Sequence, residues 1–484
     1  MNRIYGHNIR SDMLQTRLLV LSFVIIIAIA ILVFQSHITR ISQKLLPIPN
    51  FVIVFAQIDN KSITQNNGPI VNDKNLDIEV VAKGIKFPAS MSFLDKDDIL
   101  VTEKNTGMVK RILNGTKLEK PVVNVSVVST WESGLLGMAI DKDVSPGSPR
   151  YVYLYYSTPI GIQDRADYRN NQTIEEGNLL YRYEYDDGKL VNPELLLKIP
   201  YPPNFNFYHP SGVVLIGPDK NIYLVAGDFD QPVTKAQNVD SNLPIIGTSA
   251  IYRLSNNGSA AKGNPFGGEM AKYYAYGIRN SFGMDFDPVT GKLWDTENGP
   301  WWADEINIVE PGFNSGWKKI QGLSYIQIPY AQEQGKLNDL VNFDGKAKYS
   351  EPEFVWAETL GVTAIKFLKS NKLGENYEND VFVGDFDLGN IYHFDLINNR
   401  TALSLGNKLE DKMADNRDEL QDVIFGHGFG AVVDIEVGPD GYLYILSLYE
   451  AKDKCDPNMV FSDCYDFSSN DIRGSIFRIV PKNK

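Results

Sequence analysis

Histidine and cysteine are scarce in this 484-residue chain, with five of the first and two of the second. Two cysteines alone, Cys455 and Cys464, cannot build a tetrahedral thiolate metal centre. They read either as a local disulfide in an exported domain or as two free thiols. No basic stripe occurs, and the net charge is −13. That excludes the electrostatic footprint of a nucleic-acid binder, which must neutralise phosphates. The chain also lacks a Gly-x-Ser-x-Gly elbow, a His-Glu-x-x-His pair and any long amphipathic helical period. Gly426-His427-Gly428-Phe429-Gly430 has the glycines of a dinucleotide loop. A strand pattern follows it where a helix N-terminus is required, so a Rossmann site is excluded.

Long apolar runs are also missing, with one exception. Leu18 to Phe34 is interrupted only by Ser22 and approaches the ~20 residues that span a bilayer. Arg3, Arg10 and Arg17 precede it against a single Asp12, which places the N-terminus in the cytoplasm by the positive-inside rule. A cleaved signal peptide is the competing reading. The expected organisation is a cytoplasmic stretch over 1–17, a transmembrane anchor over 18–34, a linker over 35–78, and a globular domain over 79–484 outside the cytoplasm. The linker assignment rests on its Pro, Gln, Asn and Ser content and its lack of period.

What the chain does have is tyrosine (25), phenylalanine (24) and glycine (39), a composition that favours β structure. From Glu79 onward one unit recurs: an apolar strand, an Asp/Gly/Pro turn, a strand near Tyr-x-Val, and a strand like Ile-Tyr-Arg-Leu. Copies centre on Ser92–Leu113, Gly137–Glu184, Gly212–Leu254, Tyr276–Trp317, Thr363–Phe394 and Val433–Ile479. Six imperfect copies with no helix between them predict an all-β, six-bladed β-propeller. Such a fold gathers its loops around the mouth of a central channel.

The candidate chemistry sits at strand ends. His209, in Tyr208-His209-Pro210-Ser211-Gly212, stands before an inner strand and suits a general base, since imidazole titrates near neutral pH. A channel-lining or capping role is the bland alternative. Asp228 closes the same hairpin and could orient that imidazole, although turn aspartates are common. Arg279-Asn280 could hold a carbonyl or anion at the channel mouth, or bridge two blades. Gly299-Pro300 offers two successive backbone carbonyls, oxygen ligands that suit Ca²⁺, with Asp304 and Glu305 nearby.

These residues carry a family resemblance. Glu132-Ser-Gly-Leu-Leu-Gly-Met-Ala, His209-Pro-Ser-Gly with Gly227-Asp228, Tyr276-Gly-Ile-Arg-Asn with Glu297-Asn-Gly-Pro and Asp304-Glu-Ile-Asn resemble the soluble glucose/sorbosone dehydrogenases, which use pyrroloquinoline quinone (PQQ). The likeness covers about Lys86 to Pro481. It implies a sugar or aldose substrate, oxidised by hydride transfer to PQQ with an unspecified final electron acceptor. His209 would be the base that takes the sugar's anomeric proton, supported by Asp228. Arg279, with Asn280 beside it, would polarise the quinone carbonyls. Glu132 stands where the family carries a cofactor-facing glutamine, and Trp356 would face the cofactor ring. Gly299 and Pro300 would bind the bridging Ca²⁺, and Glu305 a second, structural Ca²⁺.

The same resemblance exposes departures. Where the well-studied glucose enzymes hold the cofactor carboxylates with one lysine and two arginines, this chain carries Asp387, Ala431 and Val433. Either another base such as Lys366 or Lys369 reaches in, or the propeller has become a non-catalytic binder of a glycan or protein partner. A lactonase-like metallohydrolase, with Glu132, Asn280 and Asp228 around one Ca²⁺, is a third reading.

Overall fold

The computed structural model describes residues 68–482, except 143, 146, 161–174, 203–204, 231–233, 240–241, 330, 450–466 and 468. All belong to the second of two units into which the chain divides, Asn67–Lys484. The apolar run 18–34 and the Cys455/Cys464 pair lie outside the described residues. Among the described residues no helix is long and apolar enough to cross a membrane. Every regular element described is a strand or a short 3₁₀ turn.

The described strands form six sheets, and the expected unit Tyr276–Trp317 is divided between two of them. The inner strands of the six sheets are Pro88–Asp95, Leu135–Ile140, Val214–Ile216, Gly283–Phe286, Val362–Phe367 and Val432–Val437. From each inner strand the chain steps outward through antiparallel neighbours. In the fourth sheet, Gly283–Phe286 pairs with Leu293–Glu297, which pairs with Asp304–Val309. The intervening turn works as its residues require. Asp287 accepts the Val289 N–H at 3.0 Å and the Thr290 hydroxyl at 2.5 Å, and Gly291 adopts φ 70°, open to glycine without strain.

Hydrophobic packing lies between successive sheets. Leu100 and Val109 pack with Met138 and Val152 between the first and second. Tyr155 and Leu180 pack with Leu224 between the second and third, and Tyr223 and Val225 with Met284 between the third and fourth. Trp294 and Ile306 meet Val383 between the fourth and fifth. Phe382 and Ile391 meet Ile435 between the fifth and sixth. Tyr444 and Leu446 return to Met91 and Phe93 of the first. This all-β arrangement is propeller-like.

The sixth sheet joins the two ends of the described domain. Leu76–Lys86 pairs antiparallel with Arg473–Pro481, from Leu76 opposite Pro481 to Lys86 opposite Arg473. Regular structure starts earlier than composition implied. Ile70–Val71 pairs with Ile424–His427 in the fifth sheet, and the strand Leu76–Lys86 begins within the last three residues assigned to the linker. Both are outer strands with half-exposed faces, so they carry little of the apolar alternation that betrays a strand.

Candidate active site

Alternating strand direction brings most of the candidates to one end of the sheets. Glu132, His209 and Arg279-Asn280 precede the inner strands of the second, third and fourth sheets. Asp228 and Asn298-Gly299-Pro300 follow the second strands of the third and fourth. Glu132, His209, Arg279, Asn280, Gly299 and Pro300 all line one cavity of about 510 Å³.

His209 lies at the centre, 8% exposed. Its Nδ1 is 2.7 Å from Asp228 Oδ1, and its Nε2 is 3.1 Å from Arg279 Nη2. An ionised Asp228 accepts at Nδ1, which fixes the ring proton there and leaves the Nε2 lone pair toward the cavity. Asp228 is itself held on its other oxygen by the Trp317 indole N–H at 2.8 Å. Its Oδ1 also accepts the Asp230 N–H at 2.8 Å. Burial pushes the Asp228 carboxyl up. The hydrogen bond and charge of His209 and the charge of Arg279 outweigh that and hold it below the ordinary carboxylate range.

Two backbone features make this approach possible. His209 has φ 51°, an uncommon conformation for a non-glycine residue that persists where surroundings over-determine it. A Cβ on Gly227 would stand 2.4 Å from His209 O and 2.6 Å from Arg279 O, so only glycine lets the three loops meet. Glu132 ties them further. Its Oε2 accepts the His209 backbone N–H at 3.0 Å and the Asn280 amide at 3.1 Å. The Ser211 hydroxyl donates to Asn280 Oδ1 at 3.1 Å.

Arg279 donates from Nη1 to the Asn298 carbonyl at 2.8 Å and lies 5.4 Å from the Trp317 ring. Its Nε and the neighbouring Asn298 Oδ1 are buried without a hydrogen-bond partner. Unmatched buried polar atoms of this kind imply a missing ligand or water. Asp304 shapes the Gly299-Pro300 loop by accepting the N–H groups of Gly299 (2.9 Å), Leu360 (2.7 Å) and Gly361 (2.9 Å). Burial still pushes it up to about 6.

Glu305 lies elsewhere. It sits directly opposite Glu297 across a strand pair, with Asn307 opposite Asp295. The two-residue period puts Asp295, Glu297, Glu305 and Asn307 on one face. All four side chains are buried. Burial first, then like-charge neighbours, push Asp295 and Glu305 well above the ordinary range and Glu297 to about 7. Neither Asp295 oxygen has a hydrogen-bond partner. Three buried carboxyls with no basic side chain hydrogen-bonded to them crowd like charge into one strand pair.

Trp356 departs from expectation. It does not line the cavity and is buried between the fourth and fifth sheets, 5.4 Å from Tyr392 and 4.7 Å from Phe354. As residue i+2 of the short strand Phe354–Trp356 it shares the core face with Phe354. Asp387 and Val433 do line the cavity, whereas Ala431 is buried in an apolar cluster. Lys366 lines it as well, but Lys369 does not. Sequence reasoning missed Trp317, Ser211 and Lys104. Lys104 lines the cavity and donates from Nζ to the Phe467 carbonyl at 3.4 Å. These contacts join residues from different sheets or loops, and no periodic signal announces them.

The fold and site together define a β-propeller-like protein with an imidazole–carboxylate–guanidinium constellation in a channel-mouth cavity. The sequence model of the glucose/sorbosone dehydrogenase family matches residues 85–453, and the chain belongs to that family. It is 25% identical over 381 residues to the aldose sugar dehydrogenase YliI of Escherichia coli, covering 77% of this chain and 90% of that protein. It is 28% identical over 320 residues to quinoprotein glucose dehydrogenase B of Acinetobacter calcoaceticus, covering 61% and 65%. The fold is shared with the PQQ-bound aldose sugar dehydrogenase of Streptomyces coelicolor, at TM-score 0.55, 20% identity, and coverage of 85% and 100%.

Proposed function

We propose that the protein is a PQQ-dependent sugar (aldose) dehydrogenase built on a six-bladed propeller, anchored by residues 18–34 with its catalytic domain outside the cytoplasm. The observation that carries this is the His209 ring, held at Nδ1 by Asp228 and facing the cavity with Nε2 beside Arg279. The PQQ-bound state of a relative with this fold supports the cofactor assignment.

The residues fit the reacting end of such a cofactor. Arg279, with its unpartnered Nε, and the cavity-lining Gly299-Pro300 loop offer a guanidinium and carbonyl ligands for Ca²⁺. Lys104 and Lys366, rather than the three positions the family uses, supply the other cations along the cavity wall. When bound, the quinone would accept the hydride. The chain's own residues do the rest. A sugar hydroxyl entering the cavity takes the place of Arg279 at His209 Nε2 and gives up its proton there. Asp228 holds the ring in the required tautomer and stabilises the imidazolium. Arg279, released from Nε2, remains aimed at the cavity from its anchor on Asn298. The buried Asp295/Glu297/Glu305 set would hold a separate, structural cation.

Titration of the whole protein with PQQ in Ca²⁺, followed by a dye-linked aldose assay, tests the reading. His209→Ala should abolish turnover and leave PQQ affinity within about twofold, because a base contributes to the transition state alone. Equal loss of both would sink the assignment of the base. The second reading, a non-catalytic propeller that binds a glycan or protein partner, is favoured by Asp387 and Val433 standing in the cavity wall at clamp positions. It predicts no PQQ binding. The lactonase-like arrangement is disfavoured, because His209 and Trp317 already occupy both Asp228 oxygens.

A further inference from the structure

Away from the cavity, the fifth sheet brings an imidazole against two carboxyls. His393, on the strand Ile391–Phe394, stands opposite Phe382 of Val381–Asp385. Asp380 precedes the latter strand and Asp395 follows the former. This is the end of the sheet opposite to Asp387, which lines the active-site cavity, and none of the three residues lines it. His393 Nε2 is 3.0 Å from Asp380 and 3.7 Å from Asp395. One ligand atom from each of the three lies within 4.8 Å of the others. Among the described residues no lysine or arginine pairs with either carboxyl. The ring is held in place before any ligand arrives. Phe382 and Tyr377 flank it, with ring centroids 5.0 and 5.1 Å away. The Tyr377 hydroxyl donates to Asp73 at 2.9 Å, and the His393 backbone N–H donates to Val423 O at 2.8 Å.

We infer that Asp380, His393 and Asp395 form a binding site for a divalent first-row transition ion, with Zn²⁺ the best match. Spacing supports this first. Ligands about 2.0–2.1 Å from a tetrahedral ion stand about 3.3–3.4 Å from one another, and the 3.0 and 3.7 Å separations lie on either side of that value. Charge supports it next. Asp380 and Asp395 hydrogen-bond each other, which two ionised carboxylates cannot do without a proton or a cation between them. Partial burial first, and then that bond, hold Asp395 above the ordinary carboxylate range. A divalent ion answers both charges at once. Donor chemistry then selects the ion. One imidazole nitrogen with carboxylate oxygens suits Zn²⁺ and its first-row neighbours, whereas Ca²⁺ takes oxygen ligands. The Asp395 side chain is exposed, so the ion enters from solvent and water completes its coordination. An imidazolium paired with Asp380 is the competing arrangement, and it leaves the bond between the two carboxyls still in need of a proton. A bound ion would tie the start of one strand to the end of its neighbour, in the sheet that also holds Ile70–Val71.

The site is independent of the dehydrogenase reading, and its test needs no cofactor. The whole protein, freed of metal with a chelator and returned to Ca²⁺ to fill any all-oxygen site, is titrated with ZnCl₂ by calorimetry at neutral pH. Zn²⁺ should bind with a stoichiometry of about one per chain, and the melting temperature should rise with it, by mass action on the folded state. Asp395→Asn alters an exposed side chain and should fold normally. It should weaken Zn²⁺ about tenfold or more, because even the outer partners of metal ligands are worth about 10–100-fold. His393→Gln should remove the binding altogether. His209→Ala should leave it within about twofold, which separates this ion from the active-site imidazole. If His393→Gln does not fold, Asp395→Asn decides the matter alone. Native protein that takes up no Zn²⁺ overturns the site and leaves the two carboxyls sharing a proton. Zn²⁺ binding and a thermal gain that persist undiminished in Asp395→Asn overturn it as well. So does binding that is lost in His209→Ala, which would move the ion to the cavity.

Discussion

The Trp317 indole N–H donates to Asp228 Oδ2 at 2.8 Å, on the side of the carboxylate away from His209. The two residues lie 89 positions apart, and both are buried. This bond fixes the plane of the carboxylate and thereby the direction in which Nδ1 of His209 is held. Trp317 is a positioning residue, and a structural role alone would not distinguish binding from turnover. Trp317→Phe keeps a ring near Arg279 and removes only the donor. Loss of a hydrogen bond to a charged group, about 1.5–3 kcal/mol, should lower kcat about tenfold or more, with KM and PQQ affinity within about twofold. A KM effect as large as the kcat effect would refute the positioning role.

Acid sensitivity follows from the same carboxylate. Asp228 is held below its ordinary range in the folded state. The stability it contributes is therefore complete above the unfolded-chain value near 3.8 and is lost as pH falls through the lower folded value. Asp228→Asn should lose this contribution at neutral pH and show a flatter decline in stability below about pH 4. Urea midpoints at pH 3, 4 and 7 measure the slope. An unchanged slope in the variant would mean that Asp228 carries no linkage.

The Asp295/Glu297/Glu305 face makes a separate statement about metal. Like charges placed directly opposite in a buried strand pair destabilise it unless a cation or protons intervene. Ca²⁺ added to chelator-treated protein should raise the melting temperature, by mass action on the folded state. Glu305→Gln should remove that increment and leave the metal-free protein as stable as before or more so. Both outcomes are read by calorimetry without any cofactor. A Ca²⁺ response that survives Glu305→Gln would place the stabilising ion elsewhere.

Much of this site was legible in the sequence because it sits at strand ends that the repeat announces. The strand–turn–strand pattern around Asp287 located Arg279 and Gly299 on either side of one hairpin. Its recurrence around Gly217 placed His209 and Asp228 likewise. Residue parity was harder to read. Trp356 sits in a three-residue strand between buried neighbours, where either face looks apolar, and it turned to the core. Trp317 and Lys104 contribute through contacts made only once distant loops meet. The strands at 70–71 and 76–86 were hidden by half-exposed faces. They pair with strands near the other end of the domain, and no local signal encodes a partner some 400 residues away.

Lys366 is the residue on which the cavity's charge balance turns. It lies on the fifth inner strand, with its Nζ 3.1 Å from Glu436 and 3.6 Å from Asp285. Burial pulls its pKa down, but Asp285, Glu436 and Asp434 more than reverse this and hold it above the ordinary lysine range. Asp434 is pushed up to about 7, by burial first and then by Glu436. One cation thus answers three carboxyls. Removing one partner of a buried ion pair leaves uncompensated charge and costs about 3–5 kcal/mol. Lys366→Met should therefore lower stability by about that amount. Adding Glu436→Gln should restore part of it, because the closest uncompensated acid is then gone. The same pair of variants reports on the cofactor. If Lys366 also meets a carboxylate of PQQ, Lys366→Met/Glu436→Gln should recover the melting temperature and still bind PQQ more weakly than native protein. Recovery of both would confine Lys366 to a structural role and leave Lys104 as the lysine to test next.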